Sequence, residues 1–145
     1  MGVALEEASA APAHGDVPVG AVVATADGEV IARRHNEREL AGDPTAHAEL
    51  LALRDAAAHL GRWRLDGCLL VSTIEPCPMC AGAALAARIT TVVFGAPDPK
   101  AGACGSLYNL GADPRLNHDM TIIPGIREPE AATLIRRFFA DRRAG

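Results

Sequence analysis

Two short apolar runs, Cys68–Thr73 and Thr90–Phe94, enclose an alanine-rich segment that opens with Pro76 and Pro78. Apolar runs of this length suit buried strands, and proline suits the first turn of a helix. Strand, helix, strand in that order predicts a parallel pair joined by a crossover helix. The fold must therefore contain a parallel element, with Pro76-Cys77-Pro78-Met79-Cys80 between a core strand and the helix that follows it.

The remaining segments extend this unit. Val19–Thr25 is a nearly unbroken apolar run and reads as a buried strand. Asp27-Gly28 is a hairpin signal, so Glu29–Arg34 returns antiparallel. Apolar residues recur at helical spacing through Ala46–Leu60, and Gly61 closes that helix. Leu5–Ala11 reads as a short helix, Thr121–Ile123 as a last short strand, and Glu128–Arg143 as the final helix. Between Gly95 and Leu116 the chain is loop-like, with one helical turn expected near Leu107. The expected fold is one α/β domain over residues 1–145, a three-layer α-β-α arrangement with a single mixed sheet and helices on both faces.

Composition bounds the function. Hydrophobic content of 49% with 22% charged residues describes an ordinary soluble chain, and no apolar run is long enough to cross a bilayer. Glu6 and Glu7 stand where a signal peptide would carry positive charge, so the expected location is cytoplasmic. The net charge of −4 disfavours broad binding to nucleic acid. The C-terminal helix is a local exception, with Arg136, Arg137, Arg142 and Arg143 against Asp141. Those arginines read equally as a solvated helix end or as an RNA-facing surface.

The chemistry lies in two segments, His47-Ala48-Glu49 and Cys77-Pro78-Met79-Cys80. One imidazole and two thiols make three zinc-type ligands, which leaves a fourth position for water, as in catalytic sites. Glu49 then stands free as a proton carrier. Both segments fall at predicted helix starts, where positive partial charge favours thiolates and anions. Alternatives remain open at this level: a C-x-x-C redox domain, or a closed structural zinc site with Cys104 as the fourth ligand. His14, His35 and His59 read by default as structural.

H-x-E with P-C-x-x-C is a recognised signature of zinc deaminases acting on nucleobases. Asp43–Glu49, Glu75–Gly82 and Lys100–Leu107, with Val17–Ala21 and Phe138–Arg143, together resemble the bacterial tRNA-specific adenosine deaminases over nearly the whole chain. The resemblance implies a cytidine deaminase-like fold, one Zn²⁺ per subunit and a homodimer. It implies hydrolytic conversion of adenosine to inosine at the wobble position of an anticodon stem-loop, the usual substrate being arginine tRNA. His47, Cys77 and Cys80 would be the ligands and Glu49 the proton shuttle, while activated water attacks C6 of adenine. Asn36, Ala48, Asp98, Lys100, Phe139 and Arg143 are the expected substrate contacts. Guanine deaminases share the zinc motifs and supply the enzymatic alternative, a free-base or nucleoside deaminase. A non-catalytic zinc or C-x-x-C domain is the alternative of another class. On the last helix, Ala131, Leu134, Ile135 and Phe138 form the expected core stripe, with Phe139 balanced between packing and RNA contact.

Overall fold

In the computed structural model, which describes residues Met1–Gly145, helix α1 (Gly2–Ala10) leads into strand β1 (Gly20–Ala24). Strand β2 (Val30–His35) follows through a tight turn in which Gly28 has φ of 90°, a conformation natural to glycine. A short helix α2 (Arg38–Ala41) precedes α3 (Ala48–Leu60). Strand β3 (Leu69–Ile74), helix α4 (Pro78–Ala86) and strand β4 (Thr91–Ala96) form the expected crossover unit. Strand β5 (Thr121–Ile123) and helix α5 (Glu128–Ala144) complete the chain.

The sheet order is β2-β1-β3-β4-β5. β1 runs antiparallel to both β2 and β3, whereas β3, β4 and β5 are parallel. This is the mixed five-stranded sheet expected from the sequence. α3 and α4 pack together over one face, and α1 and α5 pack together on the other. The main core comprises Ala21, Val23, Leu53, Leu70, Ala81 and Val92 with their neighbours, all buried. Glycine brings the layers close: a Cβ on Gly20 would lie 1.9 Å from the Ala4 carbonyl oxygen in α1. On β4, a Cβ on Gly95 would lie 2.8 Å from the Thr73 carbonyl oxygen and 3.0 Å from the Ala131 Cβ of α5.

Two local features differ from the sequence reading. No helical turn forms near Leu107; instead Cys104 and Asn109 pair as an isolated antiparallel bridge. The cause is that the N–H groups of Cys104 and Ser106 both donate to the Glu75 carboxylate, so they are diverted from any helical ladder. The second feature is α2, absent from the sequence reading. Asp16, buried at the far side of the β1–β2 hairpin in sequence, accepts from the N–H groups of Glu39 and Leu40 at 2.9 and 3.2 Å. That cap is supplied from 23 residues away and leaves no local sequence signal.

Candidate active site and metal centre

His47 and Cys77 occupy equivalent positions as the N-cap residues of α3 and α4, both with extended backbone and neither side chain capping its own helix. Their side chains turn instead toward each other and toward Cys80, in the first turn of α4. Nδ1 of His47 lies 3.6 Å from Sγ of Cys77 and 3.5 Å from Sγ of Cys80. All three donor atoms fall within 4.8 Å of one another. A tetrahedral zinc with ordinary Zn–N and Zn–S bonds holds its nitrogen and sulfur ligands about 3.6 Å apart, so the spacing fits. Two sulfurs and a nitrogen are also the donor chemistry zinc selects.

The electrostatics of the three donors point the same way. The hydrogen bond from Cys80 and the neighbouring His47 bring the Cys77 thiol down to about 4, despite burial. Its thiolate in turn raises Cys80, with burial adding to the effect, and the hydrogen bond to Cys77 raises His47. Converging lone pairs compete for protons here, and a divalent cation resolves that competition by allowing both sulfurs to ionise. Cys104 is buried and stands outside the cluster. Burial pushes its thiol up to about 12, the state of an inert structural cysteine.

Glu49, one residue into α3 beyond Ala48, is buried and lines the same cavity as His47 and Cys77. Burial pushes its carboxyl up to about 7. The cavity has a volume of about 530 Å³, and His47 and Cys77 of the metal cluster line it. Asn36, Asp98, Lys100 and Phe139 also line it, from three different parts of the chain. Asn36 is buried, accepts from the Ala48 N–H at 2.8 Å and donates to the Val17 carbonyl at 3.2 Å. Asp98 accepts from the N–H groups of Lys100 and Ala101 at 3.0 and 3.2 Å, which folds its own turn. Phe139 is 41% exposed at the rim, edge-on to buried Phe138 with ring centroids 5.3 Å apart.

Residues 1–96 match the family described as Cytidine and deoxycytidylate deaminase zinc-binding region. The chain belongs to this family of zinc deaminases. A Bacillus subtilis tRNA-specific adenosine deaminase is 46% identical over 143 residues, 99% of this chain and 88% of the relative. A solved structure from work on A-to-I editing by tRNA:A34 deaminases at the wobble position of transfer RNA has a TM-score of 0.88 at 42% identity. It covers 92% of this chain and 96% of that one. A guanine deaminase from Nitrosomonas europaea has a TM-score of 0.79 at 30% identity, covering 96% of this chain and 82% of that structure. The deaminase thus carries a zinc-binding domain with a His47, Cys77, Cys80 set that fits one zinc ion.

The structure sorts the remaining expected site residues. Ala48 is fully buried with its N–H taken by Asn36, and it is not part of the cavity wall. Arg143 is exposed and lies outside the cavity. Arg142 instead borders an adjoining polar recess of about 150 Å³, with its guanidinium 5.0 Å from the Phe138 ring. Arg38, which the sequence reading passed over, lines both spaces. Its only sequence signal was proximity to Asn36. Glu75 was also missed as a wall residue. A carboxylate at the end of an apolar strand, directly before Pro76-Cys77, is the signal that points to it.

Proposed function

We propose that this deaminase converts adenosine to inosine at the wobble position of a tRNA anticodon, with arginine tRNA as the substrate. The observation that carries the proposal is the cavity wall. His47, Cys77 and Glu49 line a space whose wall also carries an exposed aromatic, Phe139, and the exposed cations Lys100 and Arg38. A free base needs neither a stacking platform nor cations outside its pocket, whereas a flipped nucleotide in a single-stranded loop uses both. Likeness to the tRNA deaminase relatives supports adenosine in a tRNA as the substrate.

Within this reading His47, Cys77 and Cys80 are the zinc ligands. When bound, the metal activates water as a nucleophile at neutral pH. Glu49, carrying a carboxyl poised near neutrality in a buried wall, accepts one proton from the attacking water and gives it to the ring nitrogen, then carries the remaining hydroxyl proton to the amino group, which leaves as ammonia. Asn36 commits one amide hydrogen to Val17 and its oxygen to Ala48, which leaves its second N–H for an acceptor on the purine edge. Phe139 stacks on a flanking base, and Lys100 and Arg38 attract the adjoining phosphates. The enzyme acts as a cytoplasmic homodimer. The apolar groove of Leu50, Leu53, Ala57, Trp63 and Ala83 between α3 and α4, directly behind the ligand helices, is the surface the second subunit covers.

The test is to incubate the zinc-loaded enzyme with an anticodon stem-loop carrying wobble adenosine, and in parallel with guanine and with cytosine. Inosine in the RNA, with turnover that weakens steeply as salt is added, is the expected result. Xanthine from guanine without RNA editing would overturn the reading in favour of a free-base deaminase.

A further inference from the structure

The Glu75 carboxylate lies beneath the segment that forms one wall of the cavity. Glu75 is 2% exposed, yet all its acceptor capacity is used. One oxygen accepts from the Asp98 N–H at 3.1 Å and from the Ser106 hydroxyl. The other accepts from the N–H groups of Cys104 and Ser106, each at 3.0 Å. Four donors on one carboxylate match the roughly four lone-pair sites it has to offer. The loop is shaped to permit this: a Cβ on Gly102 would lie 2.3 Å from the Glu75 carboxyl carbon, so the chain passes there only without a side chain. Backbone bonds reinforce the seam, from Ala103 N–H to the Pro76 carbonyl at 2.9 Å and from Glu75 N–H to the Ala96 carbonyl at 2.8 Å.

We infer that Glu75 is a positioning residue that fixes the substrate-facing loop 98–106 to the strand end from which the zinc ligand Cys77 projects. Its carboxylate makes the metal centre and the Asp98–Lys100 wall one rigid unit, so the wall that receives the substrate is held in register with the metal by a buried side chain. This rests on the RNA reading above for the nature of the substrate, but the tie itself does not depend on it. Removing a charge-assisted acceptor from the buried Cys104 N–H and the partly buried Asp98 and Ser106 N–H groups releases the loop, and misplacing a positioning element by about 1 Å is enough to lower turnover efficiency on the order of 100-fold. Because ligands and Glu49 sit on other elements, the loss falls mainly on KM.

The experiment compares the zinc-loaded parent enzyme with Glu75→Gln, which replaces one acceptor oxygen with an NH2 group that faces at least one backbone N–H in either amide orientation. Ser106→Ala, which deletes a single donor and keeps the carboxylate, serves as the milder variant. Native-state amide exchange is read at Asp98, Cys104 and Ser106, alongside zinc content and the separate values of KM and kcat on the wobble-adenosine stem-loop. Support consists of faster exchange confined to residues 98–106, zinc retained, and KM raised about 10-fold or more in Glu75→Gln with a smaller rise in Ser106→Ala. Unchanged protection of those amides, loss of zinc in Ser106→Ala, or a fall in kcat alone with KM unmoved overturns it. If the parent enzyme itself leaves the RNA unedited, the substrate reading fails, while the exchange data still decide whether Glu75 holds the loop.

Discussion

Replacing Asn36 with alanine is expected to destabilise the protein by about 2–4 kcal/mol, because its side chain closes two buried hydrogen bonds. The Ala48 N–H is one of the unsatisfied donors at the start of α3, and Ala48 is 0% exposed. Without Asn36 it has no partner and no route to water, which costs roughly 1–3 kcal/mol. The Val17 carbonyl, half-buried and second in the network, adds about 1 kcal/mol. For a chain of this size the total corresponds to a fall in Tm of about 8–15 °C. Asn36→Asp keeps the acceptor for Ala48 and adds a negative charge at a helix start, which is favourable there, while losing the donor to Val17. It should therefore be the more stable of the two. Urea unfolding of both zinc-loaded variants measures the difference. An Asn36→Ala protein within about 0.5 kcal/mol of the parent would refute the hydrogen-bond reasoning. If Asn36 also meets the purine edge through its remaining N–H, Asn36→Asp loses RNA turnover despite its retained stability.

Glu49→Ala should keep one zinc per chain by metal analysis, since Glu49 is no member of the donor cluster, while turnover falls roughly 10²- to 10⁴-fold. Loss of zinc in that variant would contradict the role given to it. Gly20→Ala drives a methyl group to 1.9 Å from the Ala4 carbonyl oxygen and 2.5 Å from the Ala8 nitrogen, so α1 must lift from the sheet. A loss of about 3 kcal/mol is expected, and thermal unfolding that matches the parent would show that α1 is not held there. Asp16→Asn should cost stability at pH 7 but not in acid. Burial raises the Asp16 carboxyl, yet bonds from Glu39, Leu40 and His14 outweigh it and hold it below its ordinary value of 3.8. A depressed carboxylate stabilises the fold above 3.8 and ceases to as pH falls through its lower folded value, so the gap between variant and parent in urea should close there.

The elements with local causes were legible in the sequence. Apolar runs marked β1, β3 and β4, and Asp27-Gly28 marked the hairpin. Proline at the start and apolar spacing after it marked α4 and α5. The zinc segments were legible because ligand spacing is itself a local property. What escaped was whatever depends on partners far along the chain. α2 is capped by Asp16 from β1's approach segment. The turn near Leu107 gave way because Glu75, some thirty residues earlier, takes the amides it needed. The choice of Arg142 over Arg143 at the cavity side turns on the rotation of α5 about its axis. Neighbouring residues on a helix differ by about 100°, and only docking against β4 fixes which one faces inward.

The placement of the ligands explains why so small a domain can present an open metal site at all. N-cap positions are where a serine, threonine or aspartate would contribute about 1 kcal/mol by closing an orphan N–H. His47 and Cys77 hold those positions and cap nothing. The fold therefore forgoes about 2 kcal/mol of local helix stability at two points whose side chains meet in the metal cluster. In return, both helix starts direct their positive ends at the thiolates, at Glu49 and at any oxygen that develops negative charge between them. Asn36 repairs one of the two starts through Ala48, and Pro78, whose missing N–H removes one orphan donor, repairs the other. Each repair leaves the ligand side chain free, which is why an asparagine in the cavity wall and a proline between two cysteines belong to the metal site as much as the ligands do.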